Sequence, residues 1–123
     1  MDLMNIMKAL SDETRLRILN ILKNGELCVC EIEIILDINQ SNASRHLNKL
    51  TSARVVEYYK KAQFVYYKIN EDTLREYNFI NDILQTETMK IDKYKKDVAR
   101  LEEYRNSGIS CEDLKCGKLP FKN

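Results

Sequence analysis

Four cysteines and one histidine are the residues of this chain best suited to soft-ligand chemistry. Cys28 and Cys30 are one residue apart, and Cys111 and Cys116 form a second close pair. Neighbours as close as Cys28 and Cys30 are poorly placed to bridge each other. In a reducing compartment such spacings point to metal ligation or redox sensing rather than structural disulfides. His46 is the single imidazole, so any metal site must be built mostly from thiolate. Soft thiolates select ions such as As(III), Sb(III), Cd(II) and Pb(II) over magnesium or calcium. Trivalent arsenic prefers three thiolates, and Cys28 with Cys30 supplies two. The third must then come from Cys111 or Cys116, and all four together would suit a tetrahedral ion. Residues i and i+2 of an α-helix point about 200° apart. Chelation by Cys28 and Cys30 therefore needs a non-helical or distorted start to the element that carries them. A helix N-terminus at that point would also acidify the Cys28 thiol.

Catalysis is not expected. An arginine that would close a Cys-x5-Arg loop is replaced by Ile34 after Cys28 and by Gly117 after Cys111, and no Cys-x2-Cys redox pair occurs. The composition, 44% apolar and 32% charged over 123 residues, is that of a globular chain of about one domain. The longest apolar runs, such as Ile34-Ile35-Leu36, are too short to span a bilayer. The opening residues MDLMNIMKALSDETR carry acids and lack a long apolar stretch, so no signal peptide and a cytoplasmic location are expected.

The net charge of +1 hides a segregation. Residues 40–68 hold Arg45, Lys49, Arg54, Lys60, Lys61 and Lys68 against Glu57 alone, while the flanking segments are slightly acidic. One basic block in a near-neutral chain fits a localised polyanion contact.

The elements that position these residues can be drawn from periodicity. Leu3, Ile6, Met7 and Leu10 predict a first helix over 2–10. Ser11 is the expected N-cap of a second helix ending at Asn24-Gly25. Residues 26–36 read as a third helix with Ile32, Ile35 and Leu36 inward, and Asn39 as the cap of a fourth over 40–53 with Ala43, Leu47 and Leu50 inward. VVEYYKK (55–61) and FVYYKI (64–69) read as a β-hairpin turning at Ala62-Gln63. Asn70 is the expected cap of the next helix, with Glu71 and Asp72 in its first turn. Tyr77, Ile80, Leu84, Ile91, Tyr94, Val98 and Leu101 form a seam interrupted at Glu87, which fits one long helix or two with a break near 85–88. The fold class is mainly α with a β-hairpin: a winged helix-turn-helix with an extended C-terminal helix. The expected division is 1–85 for DNA binding and dimerisation, and 86–123 for the C-terminal helix and cysteine tail.

Ser41, Asn42, Ser44, Arg45 and His46 crowd the start of the fourth helix, the end that meets base edges in such proteins. Gln40 and Lys49 suit phosphates, and Lys60, Lys61 and Gln63 suit backbone or minor-groove contact from the wing tip.

LSDETRLRILNIL (10–22), ELCVCEI (26–32), QSNASRHLNKL (40–50) and FVYYKI (64–69) together resemble the ArsR/SmtB-type metalloregulatory repressors, over about residues 3–85. ELCVCEI is similar to the thiolate motif of arsenic/antimony-responsive and cadmium/lead-responsive members. The resemblance implies a homodimer, paired through its first and last helices, that binds a palindromic operator in the ion-free form and lets go when As(III) or Sb(III), or alternatively Cd(II) or Pb(II), binds Cys28, Cys30, Cys111 and Cys116. It implies no organic cofactor. The chain departs from the pattern in carrying Glu33 where a third cysteine often stands, and in having no cysteine among its first 27 residues. Oxidation of Cys111 with Cys116, or of Cys28 with a tail cysteine, is a further route to the same switch.

Overall fold

A computed structural model describes residues 2–115 and residue 121. The order is α1 (Leu3–Leu10), α2 (Glu13–Leu22), β1 (Leu27–Cys28), α3 (Val29–Leu36), α4 (Gln40–Ser52), β2 (Val56–Lys61), β3 (Phe64–Ile69), α5 (Glu71–Glu76), α6 (Asn78–Asp82), a π-turn (Ile83–Glu87), a 3-10 turn (Thr88–Lys90), α7 (Asp92–Asn106) and α8 (Cys111–Lys115). The fold is helical with a small antiparallel sheet in the order β1-β3-β2.

The expected inward residues do face inward. Ile18, Leu19 and Ile21 of α2, Ile32 and Ile35 of α3, and Ala43, Leu47 and Leu50 of α4 are fully buried. All of these but Ala43 form one core with Ile6, Val55, Ile80, Leu84, Leu101 and Tyr104. Asn39 caps α4, its side chain accepting from the Asn42 N–H, and Asn70 caps α5 in the same way.

Three expectations need correction, and one open alternative is decided. Asp12, not Ser11, caps α2: its carboxylate accepts from the Arg15 N–H at 3.0 Å. Ser11 instead closes α1, donating its hydroxyl to the Met7 carbonyl at 2.7 Å. An aspartate adds a full charge to the cap, which favours it at the positive helix end. Helix α2 ends at Leu22 with Lys23 as its C-cap, short of Asn24-Gly25, and Gly25 at φ 138° makes the turn beyond it.

Residues 26–36 are not one helix. Leu27 and Cys28 pair with Tyr67 and Tyr66 as a third strand, and the helix begins only at Val29. Cys28 is thus the extended N-cap residue of α3 (φ −83°, ψ 166°), the non-helical start that chelation requires. The C-terminal seam is two helical stretches. Its intrahelical ladder slips through the π- and 3-10 turns, and Ile91 is extended (φ −117°, ψ 125°). Thr88 is buried at the slip and bonds back to the Leu84 carbonyl at 2.8 Å. Ile91 is consequently exposed, whereas Tyr94 and Leu101 stay on the seam.

Helix α7 grips the first helix of the helix-turn-helix. The last carbonyls of an α-helix lack intrahelical partners. Arg100 of α7 donates to the Ile35 and Ile34 carbonyls at 2.7 and 2.8 Å, and Arg17 of α2 donates to the Leu36 carbonyl at 3.0 Å. Arg17 is itself held by Asp97 of α7 through two bonds of 2.8 and 2.9 Å. Asp97 is 3% exposed.

Candidate nucleic-acid interface and thiol site

Helix α4 shows why its two faces differ. Ala43, Leu47 and Leu50 are spent on the core, which turns Gln40, Ser41, Asn42, Arg45 and Lys49 outward and leaves Ser44 half-buried. No acid lies in its first turn, so its positive end is open to phosphate. The Arg45 guanidinium donates to the Asn42 side-chain carbonyl at 3.2 Å, which aligns on one face two side chains of the types able to read bases. Lys60, Lys61 and Gln63 are exposed at the tip of the hairpin, whose turn residue Ala62 has φ 57°.

His46 departs from this set. It is 5% exposed and lies behind Arg45. Its Nδ1 is 3.2 Å from the Arg15 guanidinium and 3.7 Å from the Asp12 carboxylate, and its Nε2 is 3.4 Å from the Arg45 guanidinium. An arginine only donates, and a neutral imidazole has a single acceptor nitrogen, so His46 accepts from one of the two guanidinium groups at a time. His46 therefore sits between the cap of α2 and Arg45 of α4. Burial, and the nearby Arg45, Arg15 and Lys49, hold its pKa below the ordinary 6.5 against the opposing pull of Asp12. A depressed histidine binds fewer protons folded than unfolded. Stability is thus full above pH 6.5 and falls as the pH drops below it toward the folded value. His46→Gln is expected to flatten this slope. Urea midpoints at pH 7.5 and 5.5 should differ less in the variant than in the wild type.

The hairpin also separates two environments. Tyr58 pairs with Tyr67, and Tyr59 with Tyr66, each pair on its own face of the sheet. Tyr67 packs on the main core, whereas Tyr66 packs with Phe64 around a small second cluster made of Cys28, Cys111 and Cys30.

That cluster is the thiol site. Cys28 and Cys111 are 83 residues apart in sequence yet joined as a disulfide, with 1% and 5% exposure. Cys111 reaches Cys28 because the chain turns after α7 at Gly108 (φ 73°) and α8 begins at Cys111, packed against α3. Cys30, half-buried, lies alongside on the first turn of α3. Cys116 lies outside the described residues.

Glu31 joins Cys28 and Cys111: one ligand atom from each of the three lies within 4.8 Å of the others. One Glu31 oxygen accepts from the Cys28 N–H at 2.8 Å, and the other accepts from the hydroxyl of Tyr104 on α7. Burial and this bond to Glu31 raise the Tyr104 phenol well above its usual range, so it remains a donor. Neither Glu31 nor Tyr104 was expected at the site from the residues alone. The signal for Glu31 was present, since Cys28-x-x-Glu31 has the N-cap to N3 spacing of a capping box.

Fold and exposed basic face define a winged helix-turn-helix DNA-binding regulator. A profile described as "Bacterial regulatory protein, arsR family" matches residues 12–58. The chain is 39% identical over 82 residues to the transcriptional repressor SdpR of Bacillus subtilis, a match covering 63% of this chain and 91% of that one. It is 36% identical over 77 residues to a cadmium resistance transcriptional regulatory protein CadC homolog of Staphylococcus aureus, covering 62% and 64% of the two chains. Identity to an arsenical resistance operon repressor of Staphylococcus xylosus is 28% over 117 residues, 95% of each chain. Among solved structures, the homodimeric winged helix-turn-helix DNA-binding domain Mb0332 of Mycobacterium bovis superposes with a TM-score of 0.59 at 32% identity, over 65% of this chain and 75% of that one. The chain belongs to the ArsR family of bacterial regulatory proteins. It is a transcriptional repressor and not an enzyme.

Proposed function

We propose that this repressor binds a palindromic operator as an ion-free homodimer in the cytoplasm, and releases it when a thiophilic metal or metalloid ion binds between α3 and α8. The observation that carries the reading is the approach of Cys111 to Cys28 across 83 residues. The site sits at the N-terminus of α3, whose C-terminus leads through the left-handed Asp37 (φ 55°) into α4. An ion that pulls Cys28 toward α8 moves the element that seats the DNA-reading helix. The inducer class depends on the third ligand. A third thiolate, from Cys30 or Cys116, suits As(III) and Sb(III), whereas Cd(II), a dication of zinc-like coordination, tolerates an oxygen beside two thiolates.

The disulfide itself favours a second reading, redox release. Two thiols and one hydrogen peroxide would give the Cys28–Cys111 disulfide and two waters, and the same helix would move.

The homodimer is supported by an uncovered apolar stripe. Leu3, Met4 and Met7 of α1 are 47%, 60% and 48% exposed, and Met89 and Ile91 are exposed before α7. Such a stripe marks a partner surface, and two copies would place half-sites about one DNA turn apart.

The wing is tested by salt dependence. Lys60→Ala and Lys61→Ala should each weaken operator binding uniformly and reduce the log–log salt slope by about two, one for each wing of the dimer. An unchanged slope in both would remove the wing from the interface. The inducer reading is tested by titrating reduced repressor on a fluorescent operator with arsenite, antimonite, cadmium and lead, then with peroxide. Release by an ion supports the ion reading; release by peroxide alone replaces it with the redox one.

A further inference from the structure

We infer that Glu31 is a third ligand, completing with Cys28 and Cys111 a two-sulfur, one-oxygen site for a thiophilic divalent cation of the cadmium or zinc class. The inference rests on the inducer site proposed above and names its donor set. Three observations carry it. The ligand atoms of Cys28, Glu31 and Cys111 lie within 4.8 Å of one another, a grouping that does not include Cys30. The Glu31 carboxylate is fixed from two sides, by the Cys28 N–H and the Tyr104 hydroxyl, so its position needs no reorganisation. Each of its oxygens accepts one such bond and keeps a further lone pair for an ion.

Charge decides the kind of ion. A small thiol reductant gives its two electrons and two protons to the Cys28–Cys111 bond, leaving two thiols and the reductant's own disulfide. A divalent cation then displaces both thiol protons to solvent. Two thiolates and one carboxylate at this buried place are three anionic donors, and a dication compensates most of their charge. Thiolate, imidazole and carboxylate donors together are an ordinary set for zinc-like ions. As(III) prefers a third sulfur, which Glu31 does not offer.

The test uses the full chain, reduced and anaerobic, with cadmium chloride and sodium arsenite as separate probes. Binding is read from thiolate-to-ion absorbance in competition with a chelator. Glu31→Gln keeps one acceptor oxygen for the Cys28 N–H and turns its amide N–H to the Tyr104 hydroxyl oxygen, which can accept, so the ion-free form should retain wild-type operator affinity. Its cadmium affinity should fall at least tenfold, with arsenite affinity unchanged. Glu31→Cys should gain at least tenfold in arsenite affinity, because it supplies a third thiolate. Cadmium affinity unaltered in Glu31→Gln, or no arsenite gain in Glu31→Cys, would overturn the assignment of Glu31. Wild type that binds neither probe would instead overturn the inducer site as a whole.

Discussion

Replacing Asp97 with alanine is expected to destabilise the protein by about 3 kcal/mol, the low end of the range for breaking a buried ion pair. Asp97 binds the Arg17 guanidinium through both oxygens. Its side chain is 4% exposed and that of Arg17 is 15% exposed. Removing the carboxylate leaves a largely desolvated cation, and that uncompensated charge is the main cost. Arg17 keeps its bond to the Leu36 carbonyl and a little solvent contact, which limits the loss. The pair holds α7 to α2 and, through Leu36, both to the end of α3. Arg17→Met with Asp97→Leu should recover much of the loss, since neither charge then remains. Urea unfolding of the three chains checks this, and a loss below about 1 kcal/mol for Asp97→Ala would show the pair to be solvated.

Cys111→Ser is expected to abolish inducer response while leaving ion-free operator binding intact. Cys111 belongs to the thiol cluster and lies on α8, which packs against α3, and it is 5% exposed. Coupling between a ligand site and a DNA site is typically about 1–3 kcal/mol, a change of roughly 5–150-fold in operator affinity. Reduced wild type should show a weakening in that range on saturation with inducer, and Cys111→Ser close to none. Cys28→Ser should behave alike. Cys30→Ser separates the donor sets: a full response leaves Cys30 outside the site, and a lost one makes it a ligand. Fluorescence anisotropy of a labelled operator gives all four values.

What could be read from the residues alone divides along sequence separation. The caps Asn39 and Asn70, the inward faces of α3 and α4, and the hairpin are written within a few neighbouring residues. The exposed reading face of α4 came from the same periodicity. Strand β1 was missed because ELCVCEI is apolar enough for a helix. Its extended start depends on Gly25 and on pairing with Tyr66 and Tyr67, far along the chain. The cap of α2 was misplaced because Ser11 and Asp12 are both good caps, and only packing decides between them. His46 reads from helical spacing as a DNA contact or as a hydrogen-bonding support behind one, and its burial against the Arg15 guanidinium fits the support. The Arg17–Asp97 pair, the Arg100 contacts with the end of α3 and the Tyr104–Glu31 bond span 65 to 80 residues. No local pattern encodes them. The thiol site was legible as chemistry in Cys28 and Cys111, whereas the spacing of Glu31 signals only the capping box of a helix start and not a place beside the thiols.

The central claim is that a thiophilic ion between α3 and α8 controls operator binding. The most direct measurement is operator anisotropy of fully reduced wild type, titrated with cadmium, lead, arsenite and antimonite and, as a hard-ion control, magnesium. The account predicts release by at least one thiophilic ion at near-stoichiometric concentration, none by magnesium, and no release in Cys28→Ser. Retention of the operator through all four thiophilic ions would contradict it.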